Sequence, residues 1–296
     1  MPGPANKSHL VEVTSPASGA DDLDIAELKN RVAPFKQRMQ EAKRAIPGIE
    51  FYPYDTLGNL WVLDELLRGD RRKLRTLTDG RPVADIGAAD GELGFFFETM
   101  GLDVHLVDNA PTNYNGLRGA RALKEALGSK AEIHDIDLDS QFKMPEKEYG
   151  LVLFLGILYH LKNPYYVLET LAKMSRHIVL STRVTQYAPS LEPRAAAPTL
   201  LGELVSRVVA PNKHMTRVAG MPVAYLVDER ECNNDPTNFW IFSPEGLQRL
   251  LSRCGWEVID FMTKGNQVNS DPASNAGDQR AFVLARSRVC RSPWAR

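Results

Sequence analysis

Asp85, Gly87, Ala89 and Gly91 fall at every second position of the stretch VADIGAADGELG (residues 83–94). A second acid, Asp108, ends the apolar run VHLVD 17 residues after Gly91. A strand that passes into a helix through such small residues presents unpaired N–H groups at a crevice on the carboxyl edge of a sheet. Gly87 and Gly91 allow a ligand to approach backbone that a Cβ would shield.

Three ligands compete for such a loop. A phosphate-binding loop ends in Gly-Lys-Ser/Thr, and this one does not. A dinucleotide fingerprint wants a third glycine where Glu92 stands, and a carboxylate there would repel a pyrophosphate. S-adenosylmethionine (SAM) has no phosphate; it carries an ammonium, a carboxylate and a sulfonium. The spacing suits it better, with Asp85 favourable near its amino-acid end and Asp108 accepting from both ribose hydroxyls. The competing reading is a tight strand–helix turn that holds no ligand. Asp135, at the end of the third strand, is placed to meet an adenine amino group; a solvated acidic loop, DIDLD, explains it equally well.

Methyl transfer is an in-line displacement at carbon, so a protein chiefly positions the nucleophile. A hydroxyl acceptor gains from a general base. His160 follows the central strand on the ligand edge and is the candidate base. A structural histidine bonded to a loop carbonyl is the alternative. Tyr159 either packs on the substrate or the methionine chain, or is a core-edge aromatic. Asn233, Asn234, Asp235 and Asn238, just before Trp240, read as a polar substrate wall or as a capping-rich turn around Asp235-Pro236.

These residues need an alternating α/β frame. Residues 1–22 are rich in Pro, Gly, Ala and Ser and read as a disordered tail, and 23–80 as a helical cap, with Ile25, Leu28, Val32 and Phe35 at helical spacing. The core spans 81–286, followed by a C-terminal tail, 287–296. Strands are predicted at 82–86, 104–108, 131–137, 149–156 and 177–182, with helices at 92–100, 117–127 and 164–174. An insertion at 183–240 interrupts the alternation and reads as a substrate lid. Its apolar stretch PTLLGELVSRVV covers the site, makes a homodimer contact or simply packs as a cap. Ser243, Pro244 and Gly255 bracket a further helix, and strands at 256–261 and 281–286 follow without a helix between them, so they run antiparallel.

Composition adds bounds. The chain has 296 residues, 43% hydrophobic and 25% charged, with a formal net charge of −1, so no global field draws nucleic acid or an anionic membrane. Cys232, Cys254 and Cys290 lack the spacing of a zinc site and read as reduced thiols. The N-terminus has no signal-peptide pattern and no apolar run is long enough to span a bilayer, which predicts a cytoplasmic protein without a membrane partner. The basic stretches 68–75 and 207–217 are either solvated faces or phosphate contacts.

VADIGAADGELGF, FLGILYHLKNP (154–164) and NNDPTNFWIFSPEGLQRLLSRCGW (233–256) together resemble the class I SAM-dependent methyltransferases. The Leu-Tyr-His-Leu-x-x-Pro turn and Asn238-Phe239-Trp240 resemble, more narrowly, the branch related to tRNA wobble-uridine 5-oxyacetic acid methyltransferases. The resemblance implies a Rossmann-like seven-stranded sheet of order 3-2-1-4-5-7-6 with strand 7 antiparallel. It implies that Gly87, Ala89 and Gly91 line the cofactor's amino-acid end, that Asp108 holds the ribose, and that Asp135 and Ile136 border the adenine. Leu155 and Gly156 would face the methionine portion, with Tyr159 and His160 where the substrate enters and Asn234, Asn238 and Trp240 beside it. Enzymes of that branch use a carboxylated SAM and need cations for it. No Arg or Lys stands beside Tyr159 before Lys162, which favours ordinary SAM. The expected activity is methyl transfer to O or N of a small or medium polar substrate, with tRNA wobble uridine or non-catalytic SAM binding as alternatives.

Overall fold

A computed structural model describes residues 24–190, 214–267, 270–272 and 278–290. The predicted tail 1–22, the apolar stretch 198–209 and most of the basic stretch 207–217 lie outside the described residues.

Four short helices lead the chain: α1 (Ile25–Lys29), α2 (Val32–Ala45), α3 (Asn59–Leu66) and α4 (Leu74–Thr78). Asp24 starts α1 with a capping box, its carboxylate accepting from the Ala26 N–H and Glu27 reaching back to the Asp24 N–H. Then come β1 (Val83–Ile86), α5 (Glu92–Glu98), β2 (Val104–Asp108), α6 (Arg118–Leu127), β3 (Glu132–Asp135), β4 (Tyr149–Leu155), α7 (Pro164–Met174) and β5 (Ser175–Val184). After β5 the chain forms β6 (Tyr187–Ser190), β7 (His214–Arg217), β8 (Ala224–Leu226) and β9 (Trp240–Phe242). It closes with α8 (Pro244–Arg253), β10 (Trp256–Gly265) and β11 (Gln279–Ser287).

The main sheet runs β3-β2-β1-β4-β5-β11-β10. The pairs from β3 to β5 are parallel, and β11 is antiparallel to both of its neighbours. Counting core strands alone, this is the predicted order 3-2-1-4-5-7-6 with the last strand reversed. The sheet is Rossmann-like. What the sequence did not reveal is a short side branch, in which β9 pairs parallel with the end of β5 and antiparallel with β8, while β6 and β7 form a separate two-stranded antiparallel sheet.

One face of the sheet packs against the leading helices and α5. Ile25, Phe35, Leu60, Phe95, Phe96 and Phe97 share that core, and Phe35 meets Phe96 edge-on at 5.3 Å. Three successive buried phenylalanines mean that α5 is enclosed on all sides, as a helix apolar all round must be. The other face packs against α7 and α8 through Tyr149, Phe154, Leu168, Leu247 and Trp256, whose indole N–H donates to the Leu168 carbonyl at 3.0 Å. Asn163 with Pro164 and Ser243 with Pro244 start α7 and α8 as capped helices. No helix among the described residues is long and apolar enough to cross a membrane.

The basic stretch 68–75 is largely spent inside the fold. Arg72 pairs with Asp24 at 2.8 Å, Arg71 lies 3.5 Å from Asp260, and Arg75 donates to the Met100 carbonyl at 3.0 Å.

Candidate functional site

The small-residue loop between β1 and α5 is shaped by close approach and by left-handed backbone. Gly87 has φ +72°, and a Cβ there would come within 2.2 Å of the Ile157 side chain. Gly91, φ +82°, would meet Leu106 at 2.5 Å. Ala89 also takes a left-handed φ, +53°, with a conformational cost that a glycine would not incur.

Two acids found in the sequence divide their labour. Asp108, at the carboxyl end of β2, is partly buried. Its Oδ2 accepts from the Ala89 N–H (2.9 Å) and the Asn113 amide (3.0 Å), and its Oδ1 accepts from the Asn109 N–H (2.8 Å). A carboxylate takes about four hydrogen bonds, so Oδ1 keeps an acceptor position at the sheet edge. Burial pushes the Asp108 carboxyl up, against the three N–H donors that pull it down. Asp85 shares that face of the sheet but lies deeper, against α5. It is 6% exposed and accepts from the Gly94 N–H of α5 at 3.1 Å; burial pushes its carboxyl up to about 7.

Three residues that the sequence reading passed over complete this side. Asp90, 2% exposed, accepts from the Tyr52 N–H (2.6 Å) and from the Asn115 amide (2.7 Å). It thereby ties the segment before α3 and the segment before α6 to the loop. Gly119 is required for that contact, since a Cβ would meet Asp90 Oδ1 at 2.1 Å. Asn113 clamps the loop from outside, donating to the Ala89 carbonyl as well as to Asp108. Asp135 is exposed and accepts from the Ala110 N–H at 2.8 Å, while the Ile136 N–H donates to the Asp108 carbonyl. Both therefore border the loop that carries Asp108.

Across the crevice, Leu155 ends β4 and Gly156 follows with φ +80°. A Cβ on Gly156 would meet nothing closer than the Tyr159 hydroxyl at 3.6 Å and Arg280 at 3.8 Å. The turn Leu158–His160 brings Tyr159 and His160 together, their ring centroids 4.3 Å apart. Arg280, from the start of β11, lies over the Tyr159 ring at 5.7 Å and reaches its hydroxyl at 3.5 Å. A cation thus stands beside Tyr159, where the local sequence shows none before Lys162. Tyr52 is partly buried, and burial pushes its phenol up.

The proton on His160 can be placed. Its Nδ1 lies 3.1 Å from the Thr237 carbonyl and 2.9 Å from Thr237 Oγ1, and that hydroxyl donates to Asp235 at 2.6 Å. Both atoms facing Nδ1 are acceptors, so Nδ1 carries the hydrogen and Nε2 the lone pair. Burial lowers the His160 pKa below the ordinary histidine value, which keeps the ring neutral at pH 7. The carbonyl bond expected of a structural histidine is present, and it is also the bond that orients a base.

The polar stretch before Trp240 serves largely to build this turn. Asn238 is buried, its amide donating to the Cys232 and Asp235 carbonyls. It lies inside the loop and not on a substrate wall. Trp240 donates its indole N–H to the Lys162 carbonyl at 3.3 Å. Asn234 is exposed, in left-handed backbone at φ +54°. The Phe239 N–H donates to the Tyr159 carbonyl at 2.7 Å and fastens the whole segment to the turn.

No family model matches the chain, and no curated protein matches it. Among solved structures, the N-terminal domain of EvdMO1 with SAH bound is similar at 17% identity, covering 86% of this chain and 97% of that one, with a TM-score of 0.48. A SAM-dependent methyltransferase from Methanosarcina mazei is similar at 15% identity over 81% of this chain and 99% of that one, TM-score 0.45. A putative methyltransferase from Bacillus halodurans C-125 is similar at 13% identity, covering 71% and 93%, TM-score 0.46.

Proposed function

We propose that the chain is a SAM-dependent methyltransferase acting on O or N of a small or medium polar acceptor. The observation that carries this reading is Asp108: a desolvated carboxylate at the carboxyl edge, fixed by Ala89, Asn109 and Asn113, with Oδ1 still able to accept. That is what a ribose diol requires. The residues present fit the cofactor, since the loop next to Asp108 carries no side chain larger than methyl at 87–89, and no basic side chain of a phosphate loop follows it.

Bound SAM supplies a methyl group activated by its sulfonium. When it is bound, the loop Gly87–Gly91 would hold its amino-acid end and Asp108 would hold the ribose. Gly156 leaves room between β4 and Arg280. His160 takes the proton released by a hydroxyl or amine acceptor onto Nε2, while Asp235 and Thr237 hold its tautomer. Tyr159 and Arg280 form the wall next to His160, suited to an acceptor with polar or anionic character. A tRNA acceptor would call for free phosphate-binding cations, and Arg71, Arg72 and Arg75 in the basic stretch are engaged within the fold.

Asp108→Ala is expected to weaken SAM or SAH binding by about 1.5–3 kcal/mol, roughly ten- to a hundredfold, in calorimetric titration. Equal affinity of the variant and the parent, or preference of the parent for NADH over SAM, would remove the reading. Methyl turnover with any acceptor would separate an enzyme from a protein that only senses the cofactor.

A further inference from the structure

Away from the crevice, β2 and β3 bring two histidines and a glutamate together. The parallel register sets His105 opposite Glu132 and Val107 opposite His134. Side chains two apart on a strand share a face, so His105, Glu132 and His134 stand on one side of the sheet. One donor atom from each lies within 4.8 Å of the others. His134 Nε2 is 3.2 Å from Glu132 Oε2 yet out of line for a hydrogen bond, and it is buried with no other partner among the described residues. The two imidazoles lie nearly parallel, at 22° with centroids 5.1 Å apart.

We propose that His105, Glu132 and His134 form a binding site for a divalent cation of the zinc type. Two imidazoles and one carboxylate are a donor set for borderline metals such as Zn²⁺ and Co²⁺ and a poor one for Ca²⁺ or Mg²⁺. A cation between the Glu132 carboxylate and His134 Nε2 would give both groups a partner in line with their lone pairs, taking the place of any proton on that nitrogen. His105 has the outer contact that ligating histidines generally have: its Nδ1 lies 3.3 Å from the hydroxyl of Tyr149, which is fully buried. With Nδ1–H donating to that hydroxyl, the His105 Nε2 lone pair is available to the metal. Tetrahedral zinc, at ~2.0–2.1 Å from each nitrogen, needs donors closer than the present spread. The partly exposed His134 ring can turn out of its stack to close that gap, and water takes the fourth position. The site would pin the edge strand β3 to β2. His105 is three residues before Asp108, roughly 10 Å along the strand, so the cation plays no part in cofactor binding.

The test uses the untagged full chain, freed of metal by chelation and titrated with Zn²⁺ at pH 7.5 by calorimetry. Co²⁺ is titrated in parallel and followed by its visible absorption. One saturable equivalent is expected, with the intense ligand-field bands of tetrahedral Co²⁺. His134→Asn and Glu132→Gln lie on the partly exposed edge and leave the core intact; each is expected to weaken Zn²⁺ binding at least tenfold, with SAH affinity unchanged. Absence of saturable binding overturns the proposal. So does binding that both variants retain, which would place the metal elsewhere on the chain. Because SAH affinity is read separately, failure here is distinguishable from failure of the methyltransferase reading.

Discussion

Asp85→Asn is expected to make the protein more stable at pH 8, although it alters the acid that opens the small-residue loop. In the folded chain burial raises the Asp85 carboxyl to about 7 from an ordinary 3.8, opposed by the Gly94 N–H and reinforced by the charge of Asp108. The sign follows from proton uptake. Below pH 4 the carboxyl is protonated in both folded and unfolded chains and costs nothing. Between about 4 and 7 the folded chain holds a proton that the unfolded chain has lost, so stability falls as pH rises. Above 7 the full penalty is present, about three pKa units, or on the order of 4 kcal/mol. Asparagine keeps an acceptor for the Gly94 N–H but adds an amide to satisfy at about 1 kcal/mol. The net gain is on the order of 2–3 kcal/mol, several degrees in melting temperature at pH 8. The advantage should shrink steadily toward pH 4. Thermal melts of both proteins across that range would show it, and a difference that does not change with pH would refute this account.

Asp90→Ala should do the opposite and cost about 3–4 kcal/mol. It strips the acceptor from the Tyr52 N–H, leaves the Asn115 amide with the Glu50 carbonyl alone, and opens a hole at a buried junction of three segments. It also removes the negative charge 3.9 Å from the Lys43 ammonium. The loss should be local before it is global, with hydrogen exchange rising first in residues 50–54 and 113–119. Urea denaturation gives the magnitude; a cost below 1 kcal/mol would mean that the network is not what holds these segments.

How far the sequence disclosed the site depends on where each residue's neighbours come from. Gly87 and Gly91 were legible because their constraint is local, a left-handed turn directly after a strand, and Asp108 because it is the acid that ends the next strand. The reversal of the last strand followed from the missing helix between β10 and β11, whereas the order of the strands came from the family resemblance and not from the alternation itself. Arg280 was hidden because the reversed β11 delivers it to Tyr159 from 121 positions away in the chain. Tyr52 and Asp90 lie 38 apart, and nothing in either segment announces the other. Asn238 misled for a related reason. A run of asparagines has the same composition whether its amides face a ligand or fold back on their own carbonyls, and only backbone geometry separates the two. His105, Glu132 and His134 are each visible in their strands, but the register that joins them is tertiary information.

Phe95, Phe96 and Phe97 have one more consequence. All five residues between the two glutamates that end their helix, α5, are buried, with Phe35 of α2 packed edge-on against Phe96. A truncation starting at residue 81 would keep every glycine of the small-residue turn and still strand a greasy cylinder in water. Grafting this crevice onto another protein therefore means carrying the first helices along, or repainting α5 with polar residues, before any ligand is offered to it.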